Sequence, residues 1–240
     1  MTAALTAERL VFVDLETGGL HVEACHPVIQ IAAIAVDAES LSEIESFEMN
    51  VEFDPARCDP KALGIKKFDP DVWAMTSIPS ELVTIYFADY LRRHATVDLR
   101  KKDGSHFRVA KLVAHNAAFD VGFLHGWYRQ HYKYLPAARQ ALCTLQRALW
   151  LFQEDHSLTP PADYKLGTLA EYFGVRTTPD HTAMNDIRAT IELYRVLKSQ
   201  ILALTANQRL YLDHLSGVTG LSLRNILNRA INAVVREMAN

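Results

Sequence analysis

The chain has 240 residues, of which 49% are hydrophobic and 22% charged, and its formal net charge is -3 at pH 7. This length and composition allow one full hydrophobic core with a small appendage, and the absence of a recurring segment argues against a repeat array. The sequence has neither an apolar run that could span a bilayer nor a basic flank followed by an apolar leader, so we expect a cytoplasmic protein without a membrane partner.

The cysteines and the distribution of charge narrow the class of protein further. Cys25, Cys58 and Cys143 are widely spaced and form no CxxC pair, which indicates free thiols rather than a disulfide or a zinc site. The first 89 residues are acidic, whereas residues 90–150 are basic. Either these segments only solvate the surface, or bound divalent cations allow a polyanion to dock despite the net negative charge.

The first half of the chain predicts three strands and a helix. An apolar run over residues 10–13, which ends at Asp14, predicts a buried strand. Residues 28–36 predict a second strand, and alternation over 47–53 predicts a half-exposed third. Three consecutive strands favour an antiparallel meander. Residues 54–78 are rich in proline and predict an irregular loop with short helical turns, and apolar residues at helical spacing predict a helix over 80–94.

The second half predicts a hairpin, a further strand and several helices. Residues 97–109 predict a basic β-hairpin with Asp103-Gly104 at its turn, and residues 112–114 predict a short strand. Helices are expected over 118–132, 144–153, 166–173 and 179–203. Thr178 and Pro179 fit the N-cap and the first position of the last helix. The order of elements predicts an α/β fold in which helices pack on the faces of a mixed sheet.

The C-terminal segment differs in character from the rest. We therefore predict a main domain over residues 1–203 and a helical extension over residues 204–240. A helix is expected over 206–215, closed by Gly217, and an apolar stripe from Leu223 to Met238 predicts another. This stripe would pack as core, mediate self-association or bind a partner protein, and the sequence leaves these alternatives open.

The most informative acidic pair follows the first strand. Asp14 and Glu16 are two residues apart, so in an extended strand both side chains project to the same face. Carboxylates held that close repel each other unless a cation lies between them. Gly18-Gly19, directly behind, would let the backbone approach a ligand closely. Taken alone, the pair is better explained as solvated acids, because this spacing is common by chance.

Two later segments carry further polar candidates. Asp120 lies among apolar neighbours in a predicted first helical turn, where burial of an isolated charge is costly, and Asn116 can order the loop before it. His181 and Asp186 would point about 140° apart on one regular helix, so we expect His181 to come from the loop or the first turn. Taken alone, Asp120 could equally be a helix cap and His181 a surface histidine.

Together these residues predict a two-metal hydrolase. Asp14, Glu16, Asp120 and Asp186 offer four oxygen ligands without cysteine, which favours Mg²⁺ or Mn²⁺ over zinc. Two such ions about 3.5–4 Å apart can clamp the attacking and leaving oxygens of a phosphodiester. A neutral His181 can take the proton of the attacking water. The sequence therefore predicts phosphodiester hydrolysis, and these residues alone leave the end of attack open.

In this order the motifs resemble the DEDDh family of 3′→5′ exonucleases, which includes proofreading subunits of bacterial replicative polymerases and ribonuclease T. The likeness covers about residues 9–200. It is carried by Asp14-x-Glu16-Thr17, His115-Asn116-x-x-Phe119-Asp120 and His181-x-x-x-x-Asp186. The resemblance implies that the four acids bind the metal ions and that His181 is the general base. The substrate-binding residues carried over are Thr17, Leu20, Asn116 and Phe119.

The resemblance also implies a fold and a reaction. The fold would be RNase H-like, with a mixed five-stranded sheet flanked by helices. The reaction would release nucleoside 5′-monophosphates from the 3′ end of single-stranded DNA or RNA. An endonuclease on the same scaffold and a non-catalytic nucleic-acid-binding or polymerase-binding module are the alternatives. Two positions depart from the family: Gly18 replaces a frequent second threonine, and Cys143-Thr144 replaces a common Asp-Thr.

Two features lie outside the shared motifs. The basic residues of the 97–109 hairpin either follow a phosphate backbone or only solvate the surface. The aromatic side chains near basic residues either stack on bases or belong to the helix core, and the core is the favoured interpretation. These aromatic residues are Trp127, Tyr128, Tyr132 and Tyr134.

Overall fold

The computed structural model describes residues 8–22, 26–65, 68–156, 158–180, 182–199, 214–221, 225–226 and 229–230. The strands are β1 (Arg9–Thr17), β2 (Val28–Asp37), β3 (Glu43–Asn50), β4 (Val97–Arg100), β5 (His106–Val109), β6 (Leu112–Ala114) and β7 (Leu142–Cys143). The helices are α1 (Pro60–Ile65), α2 (Pro70–Thr76), α3 (Ser80–Arg93), α4 (Ala117–Gln130), α5 (Thr144–Glu154), α6 (Leu166–Tyr172) and α7 (Ala183–Ser199). A single 3₁₀ turn at Pro55–Arg57 precedes α1 in the described part of the chain.

The main sheet has five strands in the order β3-β2-β1-β6-β7. β1 pairs with β2, and β2 with β3, in antiparallel fashion, whereas β6 is parallel to both β1 and β7. The predicted mixed five-stranded sheet and its opening meander are confirmed. The fifth strand, β7, has only two residues, and no periodicity in so short a segment could have revealed it.

Alternation along the central strand β1 decides which face each side chain joins. Val11, Val13 and Leu15 belong to the core beneath α3 and α4, whereas Leu10 and Phe12 pack against α7 on the other face. Because successive strand residues point to opposite faces, Asp14 and Glu16 continue the row of Phe12 toward α7. Burial of both faces of β1 therefore directs two carboxylates to the α7 side of the sheet.

The aromatic residues of α4 and the loop after it divide into two pairs. Trp127 and Tyr128 are buried in the core, whereas Tyr132 and Tyr134 are exposed. Core packing, the interpretation favoured from the sequence, therefore holds for the two residues within α4.

The hairpin prediction is confirmed, and the structure adds where the hairpin lies. β4 and β5 pair in antiparallel register and form a separate two-stranded sheet. At the hairpin base, the Arg9 backbone N–H donates to Thr96 Oγ1 at 3.2 Å, and the Val11 N–H donates to the Lys111 carbonyl at 2.9 Å. The base of the hairpin thus adjoins the start of β1. Glu16 lies seven residues further along β1 than Arg9, which corresponds to about 23 Å at 3.3 Å per residue.

Two predicted element boundaries are wrong. The sequence predicts the third strand over 47–53, whereas β3 spans Glu43–Asn50, because its pairing with β2 extends back to Glu43. The last helix was expected to start at Thr178 and Pro179, but α7 begins at Ala183. Before it, the Asp180 carboxylate accepts the backbone N–H and the hydroxyl of Thr182, and such local bonds compete with helix formation.

Most of the C-terminal segment lies outside the described residues, including the predicted 203/204 boundary and most of the 223–238 stripe. Residues 214–219 are helical, so Gly217 does not end this helix as predicted. Gly220, with φ of 66°, follows its last residue, as expected for a glycine that ends a helix in the left-handed conformation. Among the described helices, none combines the length and the apolar character needed to cross a membrane. Cys58 and Cys143 are free thiols, and Cys25 lies outside the described residues.

A buried histidine ties α3 to the sheet. His94 Nε2 lies 2.8 Å from Glu45 Oε2, and His94 Nδ1 lies 3.3 Å from Arg9 Nη1. Arginine can only donate, so Nδ1 accepts and the Nε2–H donates to Glu45, which satisfies a neutral ring. Burial lowers the pKa of His94, opposed by the hydrogen bond and charge of Glu45 and reinforced by Arg9.

This arrangement predicts how stability depends on pH. Below the ordinary histidine pKa of about 6.5, the unfolded chain takes up a proton that folded His94 resists, so acidification weakens the folded state. We expect the difference in unfolding free energy between the parent and His94→Gln to shrink from pH 7.5 to pH 5.5, as measured by urea denaturation. A difference that grows on acidification would mean that Glu45 stabilises an imidazolium, contrary to this assignment.

Candidate active site

Three of the predicted acids converge where β1 meets α7. Asp14 and Glu16 on β1 and Asp186 on α7 each offer a carboxylate oxygen, and these oxygens lie within 4.8 Å of one another. We call these three residues the acid cluster. Glu16 is only 6% exposed, and Asp14 and Asp186 are half-buried. Like charges at this separation in a partly desolvated position repel strongly, and a divalent cation would offset that repulsion.

The fourth predicted acid adjoins the cluster through the backbone. Asp120, in the first turn of α4, is 2% exposed, and its Oδ1 accepts the N–H of Leu15 at 3.2 Å. Leu15 lies between the two strand acids, so Asp120 contacts the same peptide that orients them. β6 pairs with β1 only at Val11 and Phe12. Further along β1 than these two residues, the N–H of Leu15 donates to the Asp120 carboxylate rather than to a strand.

The donor set fits a hard divalent cation. The acid cluster supplies carboxylate oxygens alone, which Mg²⁺ and Mn²⁺ prefer, whereas structural zinc sites are usually built from cysteine and histidine. The Asp180 N–H donates to Asp186 Oδ1 at 3.1 Å, and this bond orients the α7 carboxylate before any ion binds. The residues that could hold an ion are therefore the acid cluster, with Asp120 beside it.

His181, the predicted general base, lies outside the described residues. The residue on its N-terminal side, Asp180, contacts the acid cluster through its bond to Asp186. Thr182, on the C-terminal side, accepts the Asp186 backbone N–H at its carbonyl, at 3.0 Å. Both neighbours of His181 in the chain are thus bonded to Asp186.

The start of α4 is fixed by a residue whose role the sequence did not reveal. The His115 Nε2–H donates to the Tyr164 carbonyl at 3.0 Å, and His115 Nδ1 lies 2.9 Å from Thr144 Oγ1. Burial lowers the pKa of His115, opposed by the bond to the Tyr164 carbonyl, so the ring is neutral and Nδ1 accepts the Thr144 hydroxyl. His115 therefore ties the end of β6 to α5 and to the loop before α6.

Cys143 completes this support, since its sulfur accepts the Ala117 N–H at 3.4 Å in the first turn of α4. Cys143 and Thr144, where this chain departs from the family, therefore both hold the segment that carries Asp120, and no sequence pattern signals this role. Asn116, between His115 and α4, is exposed and has φ of 61° and ψ of 47°. This left-handed conformation is one that asparagine adopts more readily than most residues.

Two of the predicted substrate-binding residues, Thr17 and Leu20, lie in the turn after Asp14 and Glu16, and a third, Phe119, lies in α4. Thr17 is buried, and its hydroxyl donates to the Gly19 carbonyl at 2.7 Å, which shapes the turn. Leu20 is 75% exposed, so its side chain is accessible to a ligand. Phe119 is half-buried, and its ring centroid lies 4.8 Å from that of Phe123.

The structure also explains why glycine replaces the family's second threonine. A Cβ added to Gly18 would collide with Cys58 Sγ and would lie 2.9 Å from Pro27 Cδ. Real Cβ atoms essentially never show contacts this close. The Gly18 N–H also donates to the Pro27 carbonyl at 2.8 Å, which fixes the turn against the neighbouring segment. The departure is therefore a consequence of local packing, and it leaves the acid cluster unaltered.

This chain is similar to proteins named as exonucleases and to DNA polymerases III of the PolC type. The RNase_T exonuclease family model matches residues 99–194, which include Asp120 and Asp186. Over 90 residues, the chain is 36% identical to a protein of Mycobacterium tuberculosis named as a bifunctional exonuclease/endonuclease, covering 38% of this chain and 13% of that protein. Over 191 residues, it is 27% identical to the PolC-type DNA polymerase III of Bacillus subtilis, covering 79% of this chain and 11% of that protein.

Solved structures show the same fold. Exonuclease I of E. coli in complex with a dT13 oligonucleotide matches 80% of this chain and 41% of its own chain, with a TM-score of 0.62 and 19% identity. The zinc-bound complex of E. coli exonuclease I with single-stranded DNA matches 86% of this chain and 43% of its own, with a TM-score of 0.63. The chain thus spans less than half of these structures and a small part of the relatives above.

The predicted RNase H-like architecture is confirmed by this likeness, since the mixed sheet and its flanking helices match exonuclease I over most of the chain. The family match and the likeness to the PolC-type polymerase agree with the motifs from which the resemblance was inferred. Residues 99–194 therefore match the RNase_T exonuclease family, and the fold over most of the chain is that of exonuclease I.

Proposed function

We propose that this protein is a metal-dependent 3′→5′ exonuclease of the DEDDh branch. Its substrate would be the 3′ end of single-stranded DNA or RNA, and its products nucleoside 5′-monophosphates. The observation that carries the proposal is the meeting of the acid cluster within 4.8 Å at the end of β1, with Asp120 bonded to the same strand. The exonuclease I structures with bound oligonucleotides support single-stranded nucleic acid as the ligand.

The proposed cofactors are two Mg²⁺ or Mn²⁺ ions held by Asp14, Glu16, Asp120 and Asp186. When bound, such ions supply positive charge that stabilises the attacking and the leaving oxygen of a phosphodiester. The zinc-bound exonuclease I structure supports divalent-ion binding in this fold. The oxygen-only acid cluster favours magnesium or manganese for this chain.

The residues of the chain then have separate tasks. Backbone donors at Leu15 and Asp180 hold Asp120 and Asp186 in fixed orientations, so the carboxylates need little rearrangement to bind cations. His181, whose two neighbours are bonded to Asp186, would take the proton from the attacking water.

Recognition of the strand end is assigned to the turn after β1 and the start of α4. The exposed Leu20 and the half-buried Phe119 would contact the terminal base with apolar surface, and the backbone near Thr17 would contact its sugar. Asn116, exposed at the start of α4, can donate to a phosphate or a sugar. These contacts would favour a chain end over an internal nucleotide.

The direct test uses DNA and RNA 20-mers labelled at the 5′ end, with free or blocked 3′ ends, and a circular single strand. With Mg²⁺, we expect a ladder that shortens from the free 3′ end and mononucleotide products, whereas blocked and circular strands persist. EDTA should stop the reaction. Cleavage of the circle would instead identify an endonuclease. Binding without cleavage in any metal would identify a non-catalytic module.

The acid cluster predicts a specific response to metal. In the parent, about 5 mM Mn²⁺ should raise the melting temperature, because an ion that binds only the folded state stabilises it. Asp186→Asn should melt at or above the parent temperature without metal, because a repelling charge is gone. It should lose the metal-induced rise and the nuclease activity.

Asp89→Asn, at an exposed acid of α3 paired with Arg92, is the matched control. It should keep both the activity and the manganese response of the parent. An Asp186→Asn variant that retained the full manganese response would refute the ligand assignment.

The base assignment predicts a kinetic defect with intact metal binding. His181→Ala should lower kcat on a 3′-labelled oligonucleotide by about 10²–10⁴-fold, the range typical for loss of a general base. The manganese-induced rise in melting temperature should equal that of the parent. His106→Ala, in the distant hairpin, should leave kcat unchanged. A His181→Ala defect confined to KM would contradict a role in proton transfer.

A further inference from the structure

A pocket of about 460 Å³ opens beside the turn that follows the strand acids. We propose that this side pocket binds one nucleobase of the substrate strand, upstream of the terminal nucleotide. The pocket lies between the β1–β2 connection, the segment after β3 and the helix α4, and its lining includes Val28, Phe53, Phe123 and Trp127. The inference rests on the proposed nuclease function and assigns it a second recognition element.

The side pocket and the acid cluster share one turn but lie on opposite faces of the sheet. Val28, which lines the pocket, is the register partner of Thr17, the residue directly after Glu16. The acid cluster faces α7, whereas Phe123 and Trp127 belong to the core on the α4 face. A strand whose terminal nucleotide lies at the acid cluster would therefore reach the pocket by crossing the sheet edge where Thr17 pairs with Val28.

The floor of the side pocket is apolar and internally satisfied. Phe123 and Trp127 are both nearly fully buried by the protein. The Trp127 indole N–H donates to Ser80 Oγ at 2.7 Å, and Ser80 Oγ lies 2.9 Å from His131 Nε2. The indole thus uses its polar group within the protein. The two rings are only 2% and 5% exposed, so they close the floor of the pocket, and a planar heterocycle would rest on this floor without stacking on a full ring face.

The charged and polar side chains at the mouth of the pocket favour a base over a phosphate as the occupant. Glu52, Asp54, Arg57 and Gln130 are exposed at the pocket, so the rim presents both hydrogen-bond donors and acceptors. A nucleobase edge also carries both, and Gln130 can pair with either kind of group. Two carboxylates at the mouth would repel a phosphate at this place. The chemistry therefore favours a base inside the pocket with its phosphates outside.

The volume agrees with a single occupant. Ligand pockets typically measure about 300–1,000 Å³, and this one lies toward the lower end of that range. A single nucleotide is therefore a better fit than a run of bases. The prediction that follows is positional: one base of the strand, at a fixed distance from the 3′ end, should matter more than its neighbours.

An abasic scan tests this directly. Single-turnover removal of the 3′-terminal nucleotide is measured on ten-residue DNA strands that each carry one abasic site, at positions 2 to 6 from the 3′ end. We expect one position, or two adjacent ones, to lower kcat/KM by about 10-fold relative to the others. Gln130→Trp, which fills the mouth from α4, should lower kcat/KM on the intact strand by a similar factor and remove the positional difference.

Gln153→Trp, at an exposed glutamine of α5, is the matched control and should behave as the parent. The p-nitrophenyl ester of a nucleoside 5′-monophosphate has no upstream base, so both variants should hydrolyse it at the parent rate, which also reports correct folding. Equal abasic penalties at all positions, with this ester still cleaved, would overturn the pocket assignment alone.

Two other outcomes have distinct meanings. If neither the ester nor any strand is cleaved, the proposed nuclease function itself fails. If added adenosine 5′-monophosphate inhibits the parent but not Gln130→Trp, and no abasic position stands out, the pocket binds a free nucleotide and the assignment to the substrate strand is overturned.

Discussion

Mutual repulsion among carboxylates is the constraint on which the site depends. Asp14, Glu16 and Asp186 hold oxygens within 4.8 Å of one another, an arrangement that two surface loops could relieve by moving apart. Here they cannot separate easily, because β1 is buried on both faces and α7 packs against the row that ends in Glu16. The free energy of core packing thus keeps like charges together. In the proposed function a divalent cation offsets this repulsion, and the fold would present the carboxylate ligands already assembled.

The supports around the cluster come from distant parts of the chain. Asp120 is placed by α4, whose start is tied down through His115 to Thr144 and to the loop at Tyr164. Burial lowers the pKa of His115, which favours the neutral ring that makes both contacts. Asp186, by contrast, is oriented by the backbone N–H of Asp180. One side of the site is therefore fixed by buried contacts and the other by a hydrogen bond from an exposed residue.

The sequence could predict those features of the fold and the site that depend on residues close together in the chain. The apolar run that forms β1 and the two-residue spacing of Asp14 and Glu16 specify a strand with acids on one face. What depends on contacts between distant segments could not be predicted. The partners of His115 are 29 and 49 residues away, β7 is too short for any periodicity, and Gly18 is explained only by its contact with Cys58. The start of α7 was misplaced because local Asp180 bonds outweighed a favourable capping sequence.

The basic hairpin adjoins the start of β1, about 23 Å along the strand from Glu16, so in the proposed function it is the bound ions that supply positive charge at the acid cluster itself. The most direct test of that claim is the anomalous scattering of manganese in crystals grown with Mn²⁺ and a nucleoside 5′-monophosphate. The account predicts two peaks about 3.5–4 Å apart, between Asp14, Glu16, Asp120 and Asp186. Active protein whose crystals show no manganese among these carboxylates would contradict it.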